Sequence, residues 1–158
     1  MAKIDRKKIV SIGTTMIFVV FLIIQFIPHS LPHENPPVTG EPQWNTAKTR
    51  ATFFKACADC HSYETVFPWY SSVAPISWLV ESDVHSGRQY FNVSEWDKRK
   101  QNGEEASEEV QHGSMPTGLY LLMHSDANLN AAEKKKFVEG LTATFGTSQH
   151  KRNEIKFE

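Results

Sequence analysis

From Ile9 to Ile27 the chain reads IVSIGTTMIFVVFLIIQFI, 19 residues without a charge, and the cluster Arg6-Lys7-Lys8 stands directly before it. So long an apolar run fixes the surroundings of a segment before it fixes any fold. At ~1.5 Å per residue, a helix of this length crosses most of a hydrocarbon core of ~30 Å, and its flanks adapt to the remainder. The basic cluster favours a cytoplasmic N-terminal side, which puts the rest of the chain on the far face. A cleaved signal peptide is the competing reading, but its apolar region is typically ~7–15 residues long, and Pro28-His29-Ser30-Leu31-Pro32 makes a poor cleavage site. The expectation is an uncleaved, single-pass anchor at residues 9–27 with residues 1–8 in the cytoplasm.

What remains is one modest domain. At 158 residues the chain is too short for a large multidomain enzyme. Residues 1–28 hold four basic residues against one acidic, a net of +3, and the other 13 basic and 17 acidic residues leave 29–158 at −4. A mildly acidic domain lacks the concentrated basic surface of a nucleic-acid binder, so no nucleic-acid partner is expected. Five of the eight prolines fall at positions 28, 32, 36, 37 and 42. They mark residues 28–42 as an extended linker of polyproline II character. Pattern places the folded domain at 43–148, with a charged tail at 149–158.

Two cysteines are too few for a disulfide framework. They occur in Cys57-Ala58-Asp59-Cys60-His61, the C-x-x-C-H spacing of c-type haem attachment. Residues three and four apart share one side of a helical turn. Cys57 and Cys60 can therefore meet the two vinyl groups of one haem while His61 is directed at the iron as proximal ligand. Zinc would need two further ligands, and His85 and His112 are too distant in sequence for ordinary finger spacing. A thioredoxin-like pair would follow a strand, whereas residues 45–56 read as a helix with Asn45 as its N-cap. A plain disulfide would leave His61 without a role.

A second axial position on the iron calls for another ligand. Met115, in Gly113-Ser114-Met115-Pro116, is the leading choice among four methionines, since a thioether completes the His/Met pair of high-potential cytochromes. Met123 lies in the apolar run Leu119–Met123 and reads as a core side chain. His112, His124 or an open position are the alternatives to Met115.

The rest of the domain reads as helical, with strand signals nearly absent. Residues 77–85 are amphipathic, and Asn130 with Glu133 forms a capping box for a last helix. Phe137, Val138, Leu141 and Phe145 give that helix an apolar stripe suited to pack on Phe53 and Phe54. Residues 63–96 contain eight of the chain's 18 aromatic residues, as core or as walls of a haem crevice. The carbonyl of Pro75, with Pro68 or another carbonyl as rivals, could orient His61 through Nδ1. Glu104, Glu105, Glu108 and Glu109 read as a solvated helix face.

Taken together, CADCHSYETVFPWYSSVAPISWLVESDV from Cys57, FNVSEW from Phe91, HGSMP from His112 and YLLMHSDANLNAAEK from Tyr120 resemble the bacterial haem-binding domain family related to class I c-type cytochromes. The resemblance covers most of residues 45–145. One departure is Met115-Pro116-Thr117-Gly118, where Met-Pro-Pro and an aromatic would be expected. The resemblance implies an all-α, cytochrome c-like domain around one haem c, held by thioethers from Cys57 and Cys60, with iron ligated by His61 and Met115. It also implies attachment outside the cytoplasm. The expected protein sits in a bacterial inner membrane with its domain in the periplasm. It is an electron carrier with redox partner proteins, not an enzyme; the alternative is a haem sensor or peroxidase-like protein with an open sixth position.

Overall fold

The computed structural model describes residues 6–27, 33–98 and 101–147. The first five residues, the stretch 28–32 weighed as a cleavage site, and the charged tail 149–158 lie outside the described residues. Among those described, the regular elements are helical and no strand occurs, in agreement with an all-α fold. In chain order they are α1 (Arg6–Ile24), α2 (Ala47–Ala56), α3 (Ala58–His61), α4 (Ile76–Tyr90), α5 (Ala106–His112), α6 (Gly118–Met123) and α7 (Ala131–Phe145), with three short 3₁₀ turns. The apolar segment forms one continuous helix that begins at Arg6 of the basic cluster and ends at Ile24, three residues short of the end of the apolar run. It is long and apolar enough to cross a membrane, a property that a span and a signal sequence share.

The chain divides into two compact units, one of residues up to His33 with Phe67–Asp83, the other of Glu34–Val66 with Val84 onward. In the first, the side chain of Gln25, just past α1, donates to the Ala74 carbonyl at 3.0 Å and accepts from the Ala74 N–H at 3.1 Å. His33 stacks on Phe67 with ring centres 4.6 Å apart and stands 3.9 Å from the carboxylate of the buried Glu81.

The second unit carries the main core. Phe53, Ala58, Phe91, Val93, Val110, Phe137 and Leu141 are buried together, with Trp44, Trp96, Val138 and Phe145 packed around them. α2 exists because Thr46, extended at φ −148° and ψ 155°, accepts from the Thr49 N–H at 3.1 Å, while Thr49, Phe53 and Ala56 recur at helical spacing on its buried side. The cap is thus Thr46 rather than Asn45, whose backbone N–H donates to Thr144 Oγ1 instead. α7 carries the expected capping box in full. Asn130 Oδ1 accepts from Ala132 and Glu133, and Glu133 Oε2 accepts from the Asn130 N–H, all at 3.0 Å. Its stripe buries Phe137 and Leu141, and Phe145 meets Phe53 edge-on.

Residues 34–42 form no helix, and their far half is tied down. The Thr39 N–H donates to the Ser94 carbonyl at 2.8 Å and the Trp96 N–H to the Gly40 carbonyl at 3.0 Å. Glu41 clasps Arg50 of α2 through two bonds of 2.7 Å. The four glutamates at 104–109 are part-exposed, while Ser107 and Val110 point inward.

Candidate functional site

Cys57 is where one helix ends and another begins. Its dihedrals, φ −132° and ψ −28°, leave the helical region, its N–H closes α2 on the Phe53 carbonyl at 2.8 Å, and its own carbonyl accepts from Cys60 at 3.2 Å and His61 at 3.0 Å. The two cysteines and the histidine therefore share a single turn. A turn this short leaves its carbonyls orphaned unless something outside it supplies donors. Here the neighbours supply them: Ser62 Oγ donates to the Ala58 carbonyl at 2.7 Å, Thr65 Oγ1 to that of Asp59 at 2.7 Å, the Val93 N–H to that of His61 at 2.9 Å and Arg88 Nε to that of Ser62 at 2.9 Å. The Cys60 carbonyl lies against Gly87 of α4, where an added Cβ would fall only 2.4 Å from its oxygen. Glycine is what lets α4 approach the turn so closely.

The imidazole of His61 is buried and its ring stacks on that of Phe91, centres 4.2 Å apart at 18°. Its Nδ1 faces the Phe91 carbonyl at 3.1 Å. This corrects the expectation of Pro75 or Pro68 in that role: α4 ends at Tyr90, and the next carbonyl is delivered to the ring by the turn that leaves it. An N–H at Nδ1 donating there leaves Nε2 with the lone pair that a metal needs. Burial holds the imidazole below its ordinary pKa, against the carbonyls of Phe91 and Gly87, so the neutral form is favoured.

Cys57 and Cys60 are part-buried and not joined in a disulfide. Cys57 packs against the core, and that desolvation, with Cys60 beside it, pushes its thiol up to about 12. A redox-active C-x-x-C pair works through a lowered thiol pKa, so this environment speaks against a thioredoxin-like site. Among the described residues, no three His, Cys, Asp or Glu side chains converge as a single ion would require. The donor set instead suits a large planar group, with two sulfurs to hold its edge and one neutral imidazole for a central metal.

Met115 lies between α5 and α6. Gly113 ends α5 at φ +83°, a left-handed conformation that glycine adopts without strain. The Ser114 and Met115 N–H groups then donate to the Glu109 carbonyl at 3.0 and 3.3 Å. The Met115 side chain is 39% exposed, and Leu119, Leu122 and Met123 are 55%, 77% and 58% exposed. Met123 is therefore not the core side chain its apolar setting suggested. A six-residue helix with no buried residue cannot turn apolar composition into burial. His112 is the last residue of α5 and His124 the C-cap of α6, with His124 Nδ1 3.0 Å from the Tyr120 carbonyl.

Sequence reading passed over three residues that shape the motif turn. Gly87 and Arg88 are ordinary helix residues by pattern, and only their neighbours in space give them work. The third is Tyr120, whose hydroxyl donates to Asp59 Oδ2 at 2.7 Å across 61 residues. Burial first, and that bond second, hold its phenol well above the ordinary pKa, so it remains a donor. Asp59 stands inside the motif, the one available hint that the turn has a partner elsewhere.

A family model described as a haem-binding domain matches residues 19–143, four-fifths of the chain. The chain belongs to the haem-binding domain family. The matched span takes in the motif turn, His61, Met115 and nearly all of α7. No curated protein and no solved structure gives a significant match.

Proposed function

We propose that this haem-binding protein is a membrane-anchored, mono-haem c-type cytochrome that carries single electrons on the far side of the membrane. The observation that carries the reading is the motif turn: two thiols and an imidazole oriented by the Phe91 carbonyl on one turn whose flanking carbonyls are satisfied from outside. When bound, the haem supplies the one-electron iron couple. The chain's own part is to fix the ligands. Phe91 sets the imidazole through its ring and its carbonyl, Gly87 and Arg88 hold the turn and the strand of chain that leaves it, and Met115 offers a thioether from an accessible loop. Arg6, Lys7 and Lys8, which open α1, support a cytoplasmic N-terminus. Redox partner proteins would then meet the domain in the periplasm, near an inner membrane. Relation to class I c-type cytochromes rests on the C-x-x-C-H motif and the following Met-Pro pair.

The test is the full chain produced with haem-attachment machinery. Mass spectrometry should show one haem joined through both sulfurs, and the oxidised spectrum a methionine–iron charge-transfer band. His61→Ala should abolish normal haem incorporation. Met115→Ala should keep covalent haem, lose the band and lower the potential. A chain with both thiols unmodified and no haem mass overturns the proposal; ready carbon monoxide binding by the unaltered protein points instead to a sensor with an open sixth position.

A further inference from the structure

The Met115 loop is held at both ends, and the two anchors differ in kind. On its N-terminal side it is fastened to α5 through the Glu109 carbonyl. On its C-terminal side comes Thr117, the N-cap of α6, whose Oγ1 accepts from the Tyr120 N–H at 3.4 Å. α6 itself buries none of its residues. Apolar packing therefore does little to place it, and a directional bond has to do so. That bond is Tyr120 to Asp59, and Asp59 lies between the two cysteines of the motif. The Asp59 carboxylate is set for the purpose, since its Oδ1 accepts from the Val66 N–H at 2.9 Å while Oδ2 receives Tyr120. The phenol ring is set as well, stacked on His124 with centres 3.9 Å apart at 12°.

We infer that Tyr120 and Asp59 form a strap that ties the Met115 loop to the motif turn, making both of them positioning residues for the sixth ligand. This rests on Met115 being that ligand. A hydrogen bond to a carboxylate is stronger than one between neutral groups. Without it, the loop departs more readily and an outside ligand competes better for the iron.

The experiment uses the haem-loaded full chain and imidazole as competing ligand. Tyr120→Phe removes the hydroxyl and keeps the ring on His124; Asp59→Asn weakens the acceptor. Both should retain covalent haem, weaken the methionine–iron band and bind imidazole more tightly, on the order of tenfold to a hundredfold for Tyr120→Phe. The double variant should show little beyond Tyr120→Phe alone, since both changes break one interaction. If Tyr120→Phe fails to mature, Asp59→Asn gives the same readouts. A purely structural bond would lower the thermal midpoint while band and imidazole affinity stayed put, and that result overturns the strap. If Met115→Ala keeps the band, the sixth ligand is wrongly assigned and the strap falls with it; if Met115→Ala loses the band and neither strap variant alters it, the strap alone is refuted.

Discussion

Replacing Gly87 with alanine tests the claim that the motif turn is rigid and that α4 is pressed against it. The new Cβ would stand 2.4 Å from the Cys60 carbonyl oxygen and 3.0 Å from its carbonyl carbon and Cβ. Ordinary carbon contacts begin near ~3.5 Å, so the overlap is about 1 Å. No flexible side chain can swing away, because the nearest atoms are backbone. The backbone in turn is held at 57, 58, 59, 61 and 62 by bonds to its carbonyls. Overpacking of this kind costs ~1–3 kcal/mol, and we place the present case at the upper end. Alanine returns ~1 kcal/mol as the better helix former, leaving a net loss of ~2 kcal/mol. The assay is denaturant unfolding of the full chain in detergent, followed by circular dichroism, with Gly118→Ala as reference. Nothing lies within 4 Å of a Cβ at Gly118, so that variant should be neutral or gain up to ~1 kcal/mol. Gly87→Ala with wild-type stability or better, at unchanged denaturant slope, would refute the close approach.

Two further outcomes follow from the fold. Arg50 holds the Glu41 carboxyl below its ordinary pKa of 4.5, chiefly by hydrogen bonding, with Trp44 adding a smaller contribution. A lowered carboxyl pKa gives stability that is present above the unfolded value and lost as pH falls through the folded one. Glu41→Gln should therefore cost at most ~1 kcal/mol at neutral pH, given its solvent screening, and its unfolding curve should converge on wild type as the pH falls below 4.5 and through the lowered folded pKa; an equal difference at neutral pH and in acid contradicts the ion pair. Asn130→Ala removes half of the capping box on α7 and should cost ~1 kcal/mol, and a loss below ~0.3 kcal/mol by the same unfolding assay would show that the cap carries little.

The helices were legible where their signals are local. Glu133 stands three residues after Asn130, and both halves of the box depend on nothing farther away. The stripe of α7 was likewise readable, because Phe137 and Leu141 lie one turn apart on the same face. The cap of α2 was not, since Asn45 and Thr46 are both good N-caps and the choice is made by Thr144, a hundred positions on. The length of α4 was underestimated for a related reason. The amphipathic pattern covers only 77–85, yet the helix runs on to Tyr90, and its last turns include Gly87, packed on Cys60 where a side chain would not fit. Apolar composition misled at Leu119–Met123, where exposure depends on whether another element covers the helix.

The motif turn shows the same division within a few residues. That two sulfurs and an imidazole share one turn was readable, because turn geometry alone sets their spacing. What orients them was not. Phe91 reaches His61 across 30 residues, and its carbonyl turns to the ring where α4 has just ended, while its N–H still donates to the Gly87 carbonyl. Arg88 reaches Ser62 and Thr65, and also the Glu34 carbonyl and Asn35 side chain of the incoming segment, so one guanidinium joins three stretches of chain that no spacing rule connects. Ligands are dictated by the chemistry they perform and so leave a pattern; the groups that aim them need only a donor or an acceptor at the right point in space, and any of many residues at many positions can provide one.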